Sequence, residues 1–131
     1  MKILDSDHCI AVLRGELDLR GYIAPDESLA VTAISVAELS HGAYRSTRAE
    51  DNITRLEVLL AAIIILPFDE LAARRFGHLK AKLERNGFTL ADLDLQIASI
   101  ALEHNRPLVT HNQKHFSRVQ GLKIEDWIAP D

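Results

Sequence analysis

Short apolar, β-prone runs alternate along this chain with longer segments in which apolar residues recur at helical spacing. We predict five strands, at the Ile3-Leu4 run and at 29–33, 63–66, 108–110 and 122–124. Strands that are separated by helices form βαβ units, which build a parallel sheet covered on both faces. The predicted fold class is therefore α/β, a three-layer α/β/α domain with a central, mainly parallel five-stranded sheet, and a single domain over residues 1–131.

The segments between the strands predict the helices. We expect helices around 9–13, 16–23, 35–43, 48–62, 69–85 and 89–103, and one helical turn at 113–116. Asp69 is placed to cap its helix, and Thr89 opens the last long helix. The Asn86-Gly87 pair and Asn105 are stop signals, because both residue types tolerate the left-handed conformation that ends helices.

Composition limits the class of protein. Hydrophobic residues make up 47% and charged residues 26% of the 131 residues, as in a globular protein and unlike a disordered one. No apolar run approaches the ~20 residues that span a bilayer, and Asp5, Asp7 and His8 interrupt any signal-peptide core. Cys9 is the single cysteine, so no internal disulfide can form, and we expect a cytoplasmic protein.

Asp5 is the first candidate for chemistry. It follows the first predicted strand directly. In an open parallel sheet, ligands bind outside the carboxyl ends of the strands, so a carboxylate at this position points to a functional site. The alternative is a structural role, because aspartate is also a preferred N-cap of the following helix.

Glu38 is the second candidate and has two interpretations. Ser35-Val36-Ala37-Glu38 matches the capping box, in which the glutamate bonds back to the N-cap amide. The helix that follows the second strand also begins at the sheet edge where Asp5 lies, so an early glutamate could point at the same spot. Both roles compete for the same oxygens.

Asp94 gives the strongest argument from the pattern. On the predicted helix 89–103, the polar face is formed by Asp92, Gln96, Ser99 and Glu103. Asp94 instead shares the stripe of Ile97, Ala98 and Ala101, which faces the sheet. A carboxylate placed inward costs several kcal/mol unless it is paired, hydrogen-bonded or bound to metal, and the helix dipole offsets only ~0.5–1 kcal/mol.

Together these residues predict a metal site. Asp5, Glu38 and Asp94 are hard oxygen ligands, which suit Mg²⁺ or Mn²⁺, whereas the six histidines show no zinc-type spacing. Thr110 and Asn112 follow the fourth strand, in what is otherwise an ordinary polar loop, and face the same edge. A carboxylate-held Mg²⁺ favours phosphodiester hydrolysis. The net charge of −4 argues against nucleic-acid binding by the whole surface, but not against a nucleic-acid substrate at such a site.

The ordered set of motifs resembles PIN-domain ribonucleases, and among them the VapC-type toxins of toxin–antitoxin pairs. No single motif is specific, but the set covers essentially the whole chain. It consists of Ile-Leu-Asp5-Ser-Asp7, Ser35-Val-Ala-Glu38-Leu, Asp94-Leu-Gln-Ile-Ala-Ser-Ile-Ala-Leu, Leu-Val-Thr110-His-Asn112, His115-Phe116, Gly121-Leu122 and Glu125-Asp126-Trp127.

The resemblance implies a Mg²⁺- or Mn²⁺-dependent endoribonuclease that acts on RNA, a VapB-type antitoxin that covers its acidic cleft, and a homodimer. It places the acidic set at Asp5, Glu38 and Asp94, as metal ligands, with Thr110 and Asn112 in the polar loop.

The chain departs from the family's pattern at two positions. Asp7 stands where asparagine is usual, so an extra carboxylate joins or perturbs the site, and His115 stands where many members have a fourth acid. We therefore expect one firmly bound ion.

Two alternatives stay open from the sequence. Asp5-Ser-Asp7 imitates the start of an aspartyl-nucleophile phosphotransferase of the haloacid-dehalogenase type, although Cys9 and the lack of a downstream lysine motif speak against it. A degenerate PIN module that only binds a partner is the non-enzyme alternative. If the chain is a nuclease, the candidate contacts to the RNA backbone are Arg45, Arg48, Lys114 and Arg118.

Overall fold

The computed structural model describes residues 1–128, so the last three residues of the predicted domain lie outside the described residues. Its centre is a five-stranded sheet in the order β3-β2-β1-β4-β5, and every neighbouring pair is parallel. The strands are β1 (Lys2–Leu4), β2 (Leu29–Thr32), β3 (Ile64–Leu66), β4 (Leu108–Val109) and β5 (Ile124–Glu125). The predicted α/β class and parallel sheet are confirmed.

Helices pack on both faces of this sheet. They are α1 (Ser6–Leu13), α2 (Ala33–Arg45), α3 (Ala49–Ala61), α4 (Glu70–Arg85), α5 (Asp92–His104) and α6 (Gln113–Phe116). Asp69 caps α4 as predicted, since its side chain accepts the Ala72 N–H at 2.9 Å. Asn105 ends α5 in the left-handed region at φ 50°.

The pleat of the strands divides the core in two. Ile3 contributes to one cluster with α4 and α5, while the next residue, Leu4, contributes to the other with α1, α2 and α3. Residues in register follow the same division, because Leu108 lies beside Ile3 and Val109 beside Leu4. Cys9 lies in the second cluster, where burial raises the pKa of its thiol to about 12, as expected of a core residue.

The helix predicted at 16–23 and the last predicted strand differ from the structure. The helix predicted at 16–23 is only a 3₁₀ turn, Leu19–Gly21, because the Asp18 carboxylate accepts the Arg20 N–H and competes with helical bonding. The last strand is Ile124–Glu125 instead of 122–124, since pairing with β4 begins only where the Lys123 carbonyl accepts the Leu108 N–H.

The strand order places a topological switch point at the centre of the sheet. The chain moves outward from β1 through β2 to β3 and then returns to the other side of β1 with β4. Ligands of open α/β sheets bind at the carboxyl ends of the strands where the order reverses. Asp5 follows β1 and Thr110 follows β4, so both lie at this point.

Across residues 1–128, the helices are all too short or too polar to cross a membrane.

Candidate functional site

Asp5 caps the helix that follows it and also contacts the loop after β4. Its Oδ1 accepts the Ser6 N–H at 2.9 Å and caps α1. Its Oδ2 accepts the Thr110 hydroxyl at 2.8 Å, from a residue 105 positions away. The residue is only 6% exposed. Capping occupies one oxygen, so the other remains directed at the loop after β4.

Thr110 is fully buried and connects the two central strands. Its hydroxyl donates to Asp5 and accepts the Asn112 backbone N–H at 3.1 Å. The same oxygen lies 3.4 Å from Asp7 Oδ2, but a hydroxyl has one proton, and the shorter contact to Asp5 takes it. Thr110 therefore fixes the Asp5 carboxylate and the loop together.

Asp7 is held by a network that the sequence analysis did not predict. Its Oδ1 lies 2.7 Å from His8 Nδ1, and its Oδ2 accepts the His111 N–H at 2.9 Å. The fully buried His8 accepts the Trp127 backbone N–H at Nε2, so its proton is on Nδ1 and is donated to Asp7. The only signal in the sequence was the Asp7 carboxylate itself and the Glu125-Asp126-Trp127 motif.

Asp126 extends this network toward solvent. Its Oδ2 lies 2.8 Å from His111 Nδ1 and accepts the Gln113 side chain at 3.3 Å. Its Oδ1 accepts the Ile128 N–H at 3.0 Å. These bonds lower the pKa of Asp126 although its partial burial acts in the opposite direction. The carboxylate therefore stays ionised and anchors the segment after β5 beside the site.

Glu38 is not a capping residue, so the capping-box interpretation is wrong. The helix α2 begins at Ala33, because the Thr32 side chain accepts the Ser35 N–H at 3.1 Å and caps it. Glu38 therefore lies in the second turn, with its carboxylate available. Partial desolvation raises its pKa, and the negative charges of Asp5, Asp94 and Asp7 raise it further.

Asp94 lies in the first turn of α5, half-buried, with a side chain that is 24% exposed. Within residues 1–128, no lysine or arginine forms an ion pair with it, and the one basic group within that distance is His115, with Nδ1 3.5 Å from Asp94 Oδ2. Asp92, as predicted, faces outward and pairs with Lys80 at 2.9 Å.

The start and polar face of α5 need two corrections. Thr89 does not open it: the helix starts at Asp92, and the Thr89 carbonyl instead accepts Arg118 at 3.3 Å. Ser99, predicted on the polar face, is fully buried, because its hydroxyl is satisfied by the Leu95 carbonyl at 2.6 Å. Neither correction alters the inward stripe that carries Asp94.

The carboxylates share one electrostatic neighbourhood. Burial is the main cause that raises the pKa of Asp5, and the charges of Asp7 and Asp94 add to it, although bonds from Thr110 and Ser6 act against the rise. The pKa of Glu38 is raised by partial burial and then by the charges of Asp5, Asp94 and Asp7. Neighbouring negative charges favour either protonation of one carboxylate or binding of a cation between them. Oxygen donors of this kind fit Mg²⁺ or Mn²⁺.

The fit to a metal ion depends on the side chains adjusting. Among the described residues, no three acidic, histidine or cysteine side chains already surround a common point that could hold an ion. Mg²⁺ usually keeps several waters and needs only one or two protein carboxylates, which this arrangement can supply. His115 Nδ1, on α6, lies 2.9 Å from the side-chain nitrogen of Asn112, so the two residues hold each other next to Asp94.

A cleft of about 390 Å³ between α1, α2 and α3 opens beside Glu38. Its walls carry Arg14, Arg45 and Arg55 over an apolar base that includes Leu39 and Leu56. Arginine beside a carboxylate site can contact the phosphates of a nucleic acid strand. Of the four predicted basic contacts, this cleft includes Arg45, whereas Arg118 lies over the Phe88 ring.

We predict that Glu38→Gln stabilises the metal-free protein at neutral pH. A raised pKa means that the folded state disfavours the charged form of Glu38. The protonated form therefore contributes stability below the pKa that Glu38 has in the unfolded chain. This contribution is lost as the pH rises through the pKa in the folded state. The gain should be at most ~1 kcal/mol, because Glu38 is largely exposed and screened. Urea unfolding at pH 7 and pH 3.5 measures it. The two proteins should converge at the lower pH, and a variant less stable than wild type at pH 7 would contradict the prediction.

Comparison with known proteins places this fold and site in context. The PIN domain model matches residues 2–122. The chain is 31% identical over 129 residues to ribonuclease VapC2 of Rickettsia felis, covering 95% of this chain and 96% of the relative. It is 30% identical over 127 residues to the tRNA(fMet)-specific endonuclease VapC of Shigella flexneri, again covering 95% and 96%. The fold matches the crystal structure of DNA-bound VapBC from Salmonella typhimurium with a TM-score of 0.89 at 29% identity, over 96% of this chain and 97% of that chain.

Proposed function

Because this chain belongs to the PIN domain family, and within it to the VapC-type ribonucleases, we propose that it is a metal-dependent endoribonuclease toxin that hydrolyses phosphodiester bonds of RNA. The observation that carries the proposal is the proximity of Asp5, Glu38 and Asp94 at the switch point of the sheet, where the negative charge of Asp94 contributes to raising the pKa of both Asp5 and Glu38. RNA in the cytoplasm is the proposed substrate.

The chain's residues take distinct roles in this proposal. Asp5 and Asp94 are the main ligands of the ion, directly or through water, and Glu38 helps to hold it or orients the attacking water. Thr110 fixes the Asp5 carboxylate through its 2.8 Å bond. Asn112, whose N–H holds Thr110, positions solvent or the scissile phosphate with its side chain. Mg²⁺ or Mn²⁺ bound there would supply positive charge to the phosphate and activate water for in-line attack.

The arginine-lined cleft is the proposed path of the RNA backbone and of the antitoxin. Arg14, Arg45 and Arg55 provide positive charge next to the acidic centre, and the apolar base suits an inserted protein segment. A VapB-type antitoxin that occupies this cleft would exclude RNA from Glu38. Neutralisation then follows from steric exclusion of the substrate.

We also propose a homodimer, which is supported by exposed apolar side chains around the edge strand β3. Ile64 and Ile65 are 44% and 47% exposed, and Leu71 and Val58 are 61% and 69% exposed. Exposed apolar residues and an open strand edge are features of association surfaces. Light scattering of the purified protein tests this point, and a monomeric mass at micromolar concentration would contradict it.

The phosphotransferase alternative loses its support, because the PIN domain model matches residues 2–122 and the Rickettsia felis relative, aligned over 95% of the chain, is a ribonuclease. The second alternative, a degenerate PIN module that binds a partner without cleaving, predicts an intact fold with no activity. It is distinguished from the nuclease by experiment.

The test is cleavage of a panel of cellular RNAs, including initiator tRNA, by the antitoxin-free protein. We expect cleavage at discrete sites with Mg²⁺ or Mn²⁺ and none with EDTA. Initiator tRNA belongs in the panel because the Shigella flexneri relative is named for it. Absence of cleavage of every RNA, together with absence of Mn²⁺ binding, would support the binding module instead.

A further inference from the structure

A second cavity, of about 480 Å³, lies next to the arginine-lined cleft and shares Ile10 and Arg14 with it. Its size is in the range of small-molecule sites. Asp7 forms part of its wall, and Asp7 Oδ2 lies 3.4 Å from the Thr110 hydroxyl that holds Asp5. The cavity therefore adjoins the proposed catalytic centre, but none of the proposed catalytic residues lines it.

The cavity contains an aromatic platform. Tyr22 stacks on Trp127 with ring centroids 5.3 Å apart and planes 13° apart. Trp127 is 6% exposed and fixed at both polar groups, since its backbone N–H donates to His8 Nε2 at 3.0 Å and its indole N–H donates to Glu125 at 3.2 Å. Tyr22, in contrast, is 47% exposed. A rigid buried indole thus supports a tyrosine ring that has surface free for a ligand.

The charges around the cavity favour a neutral ligand over a phosphate. Asp7 is already bonded by His8 and His111, and Asp18 is paired with Arg20 at 2.8 Å. The remaining charges of the lining, on Arg14 and Glu16, are opposite in sign. An anion would gain little here, whereas a nucleobase offers a flat neutral face for stacking and polar edges for hydrogen bonds.

We propose that this cavity is a base-binding subsite, in which an unpaired base of the RNA strand next to the scissile bond stacks on Tyr22. The inference rests on the proposed ribonuclease function and extends it, because it assigns sequence-context selection to a place beside Asp7. Base–aromatic stacking accepts any base, so Tyr22 supplies affinity, while Arg14 and Glu16 at the wall discriminate among base edges.

The test combines a tyrosine variant with a modified substrate. An RNA that the wild type cleaves at one bond is prepared as a series in which a single abasic ribose moves through the flanking positions. One abasic position should lower the wild-type kcat/KM about tenfold, corresponding to ~1.4 kcal/mol and within the range for stacking of one base. Tyr22→Leu, which still covers Trp127, should lower kcat/KM for the intact RNA about tenfold and abolish the effect of that abasic position.

Two further variants provide controls. Tyr22→Phe keeps the ring and should retain the dependence on the abasic position. Tyr44→Leu removes the chain's other tyrosine, 71% exposed on α2 and outside the cavity, and should also retain it. A Tyr22→Leu protein that cleaves intact RNA like wild type, or that keeps the wild-type response to the abasic position, would overturn the subsite.

A readout independent of cleavage separates this proposal from the proposed function. RNA that carries 5-iodouridine next to the scissile bond should form a photo-crosslink to Tyr22, mapped by mass spectrometry. If the protein cleaves RNA but the crosslinks map only to other residues, the subsite is wrong and the ribonuclease stands. If the protein cleaves no RNA at all, the proposed function fails, and the subsite fails with it.

Discussion

Asp94→Asn is expected to lower RNA cleavage at least ~1,000-fold, because the variant removes a proposed metal ligand and several kcal/mol of charge stabilisation in the transition state. The fold should stay intact. Asparagine has the same shape as aspartate, and the half-buried carboxylate has no lysine or arginine partner among the described residues that the change would leave unpaired. Cleavage of a single RNA substrate in Mn²⁺, together with a circular dichroism melting curve, measures both effects.

The matched control is Asp92→Asn, two residues earlier on α5. Its side chain is 57% exposed and paired with Lys80 outside the site, so cleavage should change less than ~2-fold, as for a surface ion pair of small energy. Equal activity losses in the two variants would indicate a general effect on the helix. Metal-dependent cleavage that persists in Asp94→Asn would refute the assignment of Asp94.

Thr110→Val is expected to reduce cleavage about 100-fold through misplacement of Asp5, since small displacements of catalytic groups cost this much. Valine has nearly the same shape but cannot donate the 2.8 Å bond to Asp5 or accept the Asn112 N–H. Leaving buried polar groups without a partner should also cost ~1–3 kcal/mol of folding free energy. Steady-state kinetics and urea unfolding measure the two effects separately.

Thr110→Ser is the conservative control, because it keeps the hydroxyl and should recover most of the activity. Thr89→Val is a second control, because Thr89 is exposed and accepts a hydrogen bond from Arg118 through its backbone carbonyl, which valine keeps. This variant should leave kcat unchanged. If Thr110→Val retained the wild-type kcat, the hydroxyl would not position Asp5, and Thr110 would have only a structural role in the core.

Several features of the site could be predicted because they depend on local periodicity. Asp5 follows an apolar strand, and Asp94 interrupts an apolar helical stripe, so each position relative to the sheet can be inferred from a few neighbouring residues. The structure places both as expected, with Asp5 6% exposed and Asp94 half-buried. The alternation of strands and helices along the chain likewise predicts a parallel sheet. The strand order of the structure and its match to a known fold confirm this prediction.

The features that were missed depend on hydrogen bonds between distant segments or on competing caps. The bond from the Trp127 N–H to His8 spans 119 residues, and no pattern in the sequence specifies it. At the start of α2, Thr32 and Ser35 are both good caps, and only the position where β2 ends decides for Thr32. Ser99 is a polar residue and was predicted on the polar face of the helix. Its hydroxyl donates a hydrogen bond to the Leu95 carbonyl, which allows the side chain to be buried in the core.

The central claim is that Asp5, Glu38 and Asp94 come together to hold a divalent cation, and calorimetric titration of Mn²⁺ into the metal-free protein tests it most directly. We predict saturable binding of one ion by the wild type and at least ~100-fold weaker binding by Asp94→Asn, consistent with the loss of one charged ligand. Asp92→Asn should bind as the wild type does. Equal Mn²⁺ affinity in the wild type and Asp94→Asn would contradict the account.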